Sequence, residues 1–422
     1  MHRVLTEPPG APPVEFADLA AALPTGPDGA AVLLAIHADA STAIVLRRGP
    51  DGRALTPGPA DVIPLPGLSR PWLRERLWAW SREPSPGRWG ARLDALLKEL
   101  GERLVAPLLP RLRALGTRRL LLVPHRELHL LPLHAAWGYA AGGGRAHPLD
   151  ALAVAYAPSL SVLARTAPRP VPASPAILSV APADSGLPFA ASDLAGIAPA
   201  LARVVPLDPA TPRALRRAVP DPAFAILHAA CHGTYALGDP LRSALALAGG
   251  ALTLADLYGA GTDGEGSPAR VRLAQSLATL SACEAAVSDA ASPSDECHGL
   301  PAGMLFAGAT AVVAPLWAVD DLATAILMRR FYAALLSPDE VGARPSVAEA
   351  LGRARLALRE ATAGELLAEG WLGEDRLAAM GHEAHRRHYR SVRQGWERRD
   401  PRDRPFQAPR HWAAWCAIGS AL

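Results

Sequence analysis

Two apolar runs, each stopping at a chemically active side chain, constrain this chain more than any other feature. The first, Phe224-Ala-Ile-Leu-His-Ala-Ala-Cys-His-Gly233, closes on His232 and a glycine. The second, Leu277-Ala-Thr-Leu-Ser-Ala-Cys-Glu-Ala285, delivers Cys283 from a strand-like stretch. Side chains alternate along a strand, so His228, Ala230 and His232 share a face, with His232 last before the turn at Gly233. A buried strand that stops among small residues hands its next side chain to the crevice at the carboxyl edge of a sheet, where open α/β folds bind ligands. If the two strands are neighbours, that crevice receives a nucleophile and a proton carrier together.

The surrounding pattern supports such a sheet. A strand is expected near 177, a helix near 190 to 202, a strand near 204 and a helix near 211 to 218, followed by the histidine and cysteine runs. This alternation predicts a mainly parallel sheet with helices on both faces. Further on, 300 to 307 reads as a helix ended by Gly308 and 310 to 317 as a strand. Asp320 and Asp321 cap a helix carrying Leu327, Phe331 and Leu335 on one face, and Ser346 with Glu349 forms a capping box. Nearer the start, Val32 to Ile36 and Thr42 to Leu46 read as paired strands. Helices are expected over 72 to 80 and 88 to 104, and a strand over 120 to 123. His125, His129 and His134 surround a proline-bounded turn; His129 and His134 lack helical spacing and no thiol or carboxylate motif accompanies them, so the turn reads as structural.

With 422 residues, half of them hydrophobic, the chain can bury a large core, and a formal charge of +3 gives no reason to expect a nucleic-acid partner. Four scattered cysteines, Cys231, Cys283, Cys297 and Cys416, do not form a secreted disulfide framework, so reduced thiols in a cytoplasm are expected. The first residues lack the apolar core of a signal peptide. The uncharged run from Gly299 to Val319 is interrupted by Pro301, Gly303, Gly308 and Pro315, so it reads as a short helix and a strand rather than a membrane span. His228, Cys231, His232, Cys283, Cys297 and His298 could converge on zinc, but with no paired Cys-x-x-Cys and no helix carrying the histidines no metal and no cofactor is expected. Cys231 and Cys416 read as core packing, and His228 as a buried, hydrogen-bonded neighbour.

Cys283 follows His232 by 51 residues (283 − 232), close to the roughly 50 that separate the two in caspases, although the caspase pentapeptide is absent. The chain resembles the CHAT family, caspase-like cysteine peptidases related to separases and often attached to tetratricopeptide repeats. The resemblance is carried, in order, by Val123-Pro-His-Arg-Glu-Leu-His-Leu-Leu-Pro, Tyr156-Ala-Pro-Ser-Leu, His228-Ala-Ala-Cys-His-Gly, Leu280-Ser-Ala-Cys-Glu, the run from Ala307 to Asp321, and Trp412-Ala-Ala-Trp. It spans roughly residues 30 to 422. Two departures stand out: no repeat array precedes the domain, and 361 to 411 looks longer than the usual connection to the closing strand.

The resemblance implies a caspase-like three-layer α/β sandwich with a mainly parallel central sheet and a small N-terminal α+β subdomain. The expected division is a lead-in over 1–30, the subdomain over 31–118, and a peptidase domain over 119–422 with a polar, basic insertion at 361–411. It also implies a cysteine endopeptidase acting on a protein substrate in a regulated prokaryotic signalling or defence pathway. His232 and Cys283 fall on the catalytic dyad, and the backbone amides of Gly233 and Cys283 on the oxyanion hole. Asp239, Asp295, Glu296, Asp320 and Asp321 are candidate acidic linings that would favour a basic residue before the scissile bond. The partners expected are the protein substrate and an activating partner or ligand, with no membrane. The alternative is a catalytically inactive scaffold of the same family that binds a partner protein. The basic cluster from His385 to Arg399 reads as a solvated face.

Overall fold

The structure is a computed structural model that describes residues 15–16, 18–140, 142–182, 186–190, 193–194, 197, 201–236, 239–260, 271–281, 299–338 and 342–422. Its first half supplies β1 (Gly29–Ala35), β2 (Ser41–Leu46), β3 (Val62–Leu65), β4 (Arg119–Val123), the short pair β5 (Gly138–Tyr139) and β6 (Arg145–Ala146), and β7 (Ala153–Tyr156). Its second half supplies β8 (Ala176–Val180), β9 (Arg203–Pro206), β10 (Phe224–Ala230), β11 (Gly233–Thr234), β12 (Ala244–Leu247), β13 (Gly250–Thr253), β14 (Leu277–Ser281), β15 (Ala311–Pro315) and β16 (Trp415–Gly419). Eleven strands join in one sheet, ordered β3-β2-β1-β4-β7-β16-β15-β14-β10-β8-β9, while β11, β12 and β13 form a separate antiparallel flap.

The α/β class and the mainly parallel sheet are as the sequence implies. β9, β8, β10, β14 and β15 pair in parallel, as do β1, β4, β7 and β16, and only the β15–β16, β1–β2 and β2–β3 joins are antiparallel. Because direction reverses between β15 and β16, the carboxyl ends of β10, β14 and β15 share one sheet edge with the amino ends of β16 and β7. Strands β7, β14 and β15 are buried along their whole length, as expected of strands covered on both faces.

The capping chemistry legible in the sequence is present. The Asp320 carboxylate accepts from the Ala323 N–H at 2.9 Å and starts the helix Asp321–Leu336, whose Leu327, Phe331 and Leu335 are buried. Ser346 and Glu349 cap the helix Val347–Glu360 reciprocally, at 3.2 and 2.7 Å. The helix Leu300–Ala307 stops at Gly308, which sits at φ 119° against the Leu273 carbonyl, and the chain turns directly into β15. That broken run is therefore a helix and a strand, and no helix among the described residues is long and apolar enough to cross a membrane.

The structure differs from the sequence reading in three places. The helix over 88–104 is a helix Pro86–Leu100 that passes through a wider turn, Gly101–Val105, into a further helix Ala106–Ala114. At Gly101 a side chain would overlap the Trp137 backbone, so close packing sets the composition there. The closing strand begins only at Trp415, after a helical turn Pro409–Trp412. The polar stretch 361–411 folds into helices pinned by buried Trp371, Tyr389, Trp396 and Phe406. The histidine turn after β4 is held locally: His125 Nδ1 accepts from the Ile36 N–H at 3.0 Å, and buried His134 lies 2.8 Å from the Tyr156 hydroxyl. Burial pushes the His134 ring well below the usual histidine range.

Candidate active site

The histidine and cysteine runs lie next to each other. β10 and β14 pair in parallel from Ile226–Leu277 to Ala230–Ser281, an offset of 51 residues (281 − 230). That offset equals the spacing between His232 and Cys283. His232 is exposed at the sheet edge, and its carbonyl accepts from the Ala246 N–H of the flap at 2.8 Å. This bond flanks the Gly233–Leu245 pair, so Gly233 occupies a non-hydrogen-bonded position of the ladder and its own amide faces away from β12. Cys283, Asp295, Glu296, Cys297 and His298 lie outside the described residues.

Beneath the strand ends runs a buried polar network. Ser281 Oγ donates to Asp193 Oδ2 at 2.6 Å, and the same carboxylate lies 3.2 Å from His228 Nε2. The other ring nitrogen of His228 is 3.0 Å from the Tyr332 hydroxyl, which donates to Thr279 Oγ1 at 2.9 Å. His228, Thr279 and Tyr332 are fully buried, and Asp193 is 1% exposed. Two of these groups stand on β14, one on β10 and one on the helix Asp321–Leu336, so the network clamps the two strand ends to each other and to the layer behind them. A register slip would bury these groups unpaired, which costs more than the bonds gain when made.

A narrow crevice opens at this edge, walled by Ala230, Cys231, Ser281, Pro315, Asp321 and Trp415 among others. Burial pushes the Cys231 thiol up to about 12, so it packs as a neutral thiol and is no rival nucleophile. The Asp321 carboxylate accepts from the Phe189 N–H at 2.8 Å. Burial raises its pKa to about 6 despite that bond, with Asp193 and Asp320 adding to the rise and His232 opposing it. Asp320 is committed to its helix cap, and Asp239 is exposed before a short helical turn. Of the acidic linings named from sequence that are among the described residues, Asp321 is the one found in the crevice. Among the described residues no His, Cys, Asp or Glu cluster could hold a metal ion.

Asp193, Tyr332 and Trp415 were not singled out by the sequence. Asp193 comes from the stretch read as a helix, and its contacts reach 35 and 88 residues along the chain. Trp415 was visible only as part of the Trp-Ala-Ala-Trp motif. Tyr389, expected on a solvated face, is buried instead and stacks edge-on against Phe189 with ring centroids 4.9 Å apart. Burial, with Asp320 and Asp321 nearby, raises its pKa.

A family model described as the CHAT domain matches residues 94–420. A comparison with curated proteins finds no match. Among solved structures, the chain is similar to the Saccharomyces cerevisiae separase–securin complex, at 14% identity and a TM-score of 0.37, covering 60% of this chain and 16% of that one. It is also similar to the Arg-specific cysteine proteinase gingipain R, at 8% identity and a TM-score of 0.35, covering 79% of this chain and 68% of that one. A complex of Porphyromonas gingivalis RgpB pro- and mature domains is similar at 9% identity and a TM-score of 0.34, covering 78% of this chain and 69% of that one.

Proposed function

We propose, for a chain that belongs to the CHAT domain family, that it is a cysteine endopeptidase in which Cys283 is the nucleophile and His232 its proton partner. The observation that carries this reading is the β10–β14 register: the last ladder pair, Ala230–Ser281, stands two residues before each member of the dyad. An imidazole beside the thiol raises the thiolate fraction at neutral pH, where a free thiol with a pKa of about 8.5 is mostly protonated.

In this mechanism the sulfur attacks the carbonyl carbon of the scissile bond, and the carbonyl electron pair moves onto oxygen. The Gly233 and Cys283 amides hold that oxyanion; the Gly233 amide's turn away from β12 leaves it unspent in the flap ladder. As the intermediate collapses, the C–N bond breaks and His232 gives its proton to the leaving amine. Water, deprotonated by His232, then cleaves the thioester and returns the free thiol. Asp321, in the crevice wall, favours a basic residue before the scissile bond; Asp239, Asp320, Asp295 and Glu296 are further candidates for that pocket. The protein substrate and its activator belong to a regulated cytoplasmic pathway.

The test is a peptide library incubated with the protein, with new amino termini read by mass spectrometry. The wild type should cut, preferentially after Arg or Lys, and Cys283→Ala should not. Equal cutting by both would remove the mechanism, cutting after aspartate would remove the acidic pocket, and partner capture without cutting would favour the scaffold.

A further inference from the structure

Away from the crevice, on the same sheet edge, lies a second cleft of about 640 Å³, within the size range of small-ligand sites. Four segments distant in sequence build it: the start of the helix Pro86–Leu100, residues 145 to 147, the end of the helix Val347–Glu360, and 404 to 410. Its charged lining is Arg145, Arg359, Arg404 and Arg410 against Asp94 and Glu360, an excess of two positive charges.

The guanidinium groups are fixed in place before any ligand arrives. Arg145 stacks over Trp137 at 4.0 Å and pairs with Asp94. Arg359 stacks over Trp412 at 5.1 Å and pairs with Asp150 at 2.7 Å. Arg404 shares Glu360 with Arg359. Arg410 donates to the His411 ring at 3.0 Å. His147 adds no charge: Ala135 O lies 3.1 Å from its Nδ1, and its Nε2 accepts from Arg145 at 3.2 Å. Burial pushes its pKa down to about 4, with Arg359 and Arg145 adding to the fall and Asp150 opposing it.

The remaining wall is backbone. Gly87, Gly90 and Ala91 line the cleft from the opening turns of the helix Pro86–Leu100, and the side chain of the preceding Ser85 makes no capping bond. Apart from its chain neighbours and its own helix backbone, nothing stands within 4 Å of where a Gly87 side chain would be, so a ligand can approach the main chain there. Orphan N–H groups at a helix start, faced by several arginine forks, suit the tetrahedral oxygens of phosphate better than the single plane of a carboxylate.

We propose that this cleft binds a small polyphosphate anion, held through its phosphates. One hydrogen bond links the two sites: Trp317, which lies between Pro315 and Val319 of the crevice wall, donates its indole N–H to the Arg410 carbonyl at 3.0 Å. The proposal stands whether or not the chain is a peptidase.

Calorimetric titration with inorganic triphosphate, and separately with ATP, tests it on the full chain at low salt. Both should bind with micromolar Kd, weakening about tenfold or more in the exposed pair Arg404→Gln/Arg410→Gln. Gly87→Asp should also abolish binding, since it adds a carboxylate at an open first-turn position that tolerates one in the folded helix; unfolding midpoints without ligand establish that both variants fold. No binding of either compound at low salt, or an unchanged Kd in both folded variants, would overturn the proposal.

Discussion

Ser281 and Asp193 meet in a 2.6 Å hydrogen bond, Oγ donating to Oδ2, where β14 leaves the sheet. The bond is buried on both sides. It ties the last residue of the cysteine-bearing strand to a carboxylate that also touches His228 of the histidine-bearing strand, so it sets the relative height of the two strand ends. Ser281→Ala leaves that carboxylate short of one donor in a dry site and should cost about 2 kcal/mol. Urea unfolding measures it, and a loss within about 0.5 kcal/mol of zero, the range of a neutral surface change, would show that the bond does not hold the edge.

Tyr332 performs the matching task one layer down. Its hydroxyl bridges His228 and Thr279 at 3.0 and 2.9 Å, in a region with no exposure to water. Tyr332→Phe keeps the ring packing and removes only the bridge, leaving two buried polar groups to find other partners. A loss of about 1 to 2 kcal/mol is expected. If the network acts as one unit, the double variant with Ser281→Ala should cost less than the sum of the two losses, which a double-mutant cycle reads directly.

Asp321 makes stability depend on pH in a defined direction. Its carboxyl, raised from 3.8 to about 6 chiefly by burial, binds its proton more tightly in the folded chain than in the unfolded one. The wild type therefore loses stability as pH rises from about 4 through 6, and the loss is complete above that window. Asp321→Asn keeps an oxygen for the Phe189 N–H and removes the charge. It should be more stable than the wild type at pH 8, by on the order of 2 kcal/mol, and no more stable at pH 4. Thermal unfolding at the two pH values checks this; an equal shift at both would mean that ionisation is not the cause.

Gly308 fixes the passage from helix to β15. Its φ of 119° and the Leu273 carbonyl beside it leave no room for a side chain. Gly308→Ala should cost about 3 kcal/mol from strain and overlap together. A drop below about 1 kcal/mol in a denaturant titration would show that the turn relaxes easily.

Much of this was legible from one-dimensional signals. Apolar runs closing on Gly233 and Cys283 gave two strands, though not that they pair; the capping residues at Asp320 and at Ser346 with Glu349 gave helix starts, and Gly308 gave a helix end. These features are encoded within a few residues of where they act. Asp193 was not legible, because its partners at 228 and 281 are joined to it only by folding. The helices of 361–411 were hidden for a different reason. In Glu383–Glu397 arginines dominate and the buried side chains are few, Tyr389 and Trp396, so the apolar stripe is too sparse to read as a packed face. The arginine cleft is illegible in principle, since four separate segments contribute to it.

In the proposed mechanism His232 and Cys283 act on one bound peptide. Treating the protein with a peptidyl acyloxymethyl ketone carrying a basic terminal residue, and locating the adduct by mass spectrometry, tests it most directly. The expected product is a thioether on Cys283 that forms at least tenfold more slowly in His232→Ala while Cys231 and Cys416 stay unmodified. Labelling of Cys283 at the same rate in His232→Ala, or labelling spread evenly over the cysteines, would contradict it.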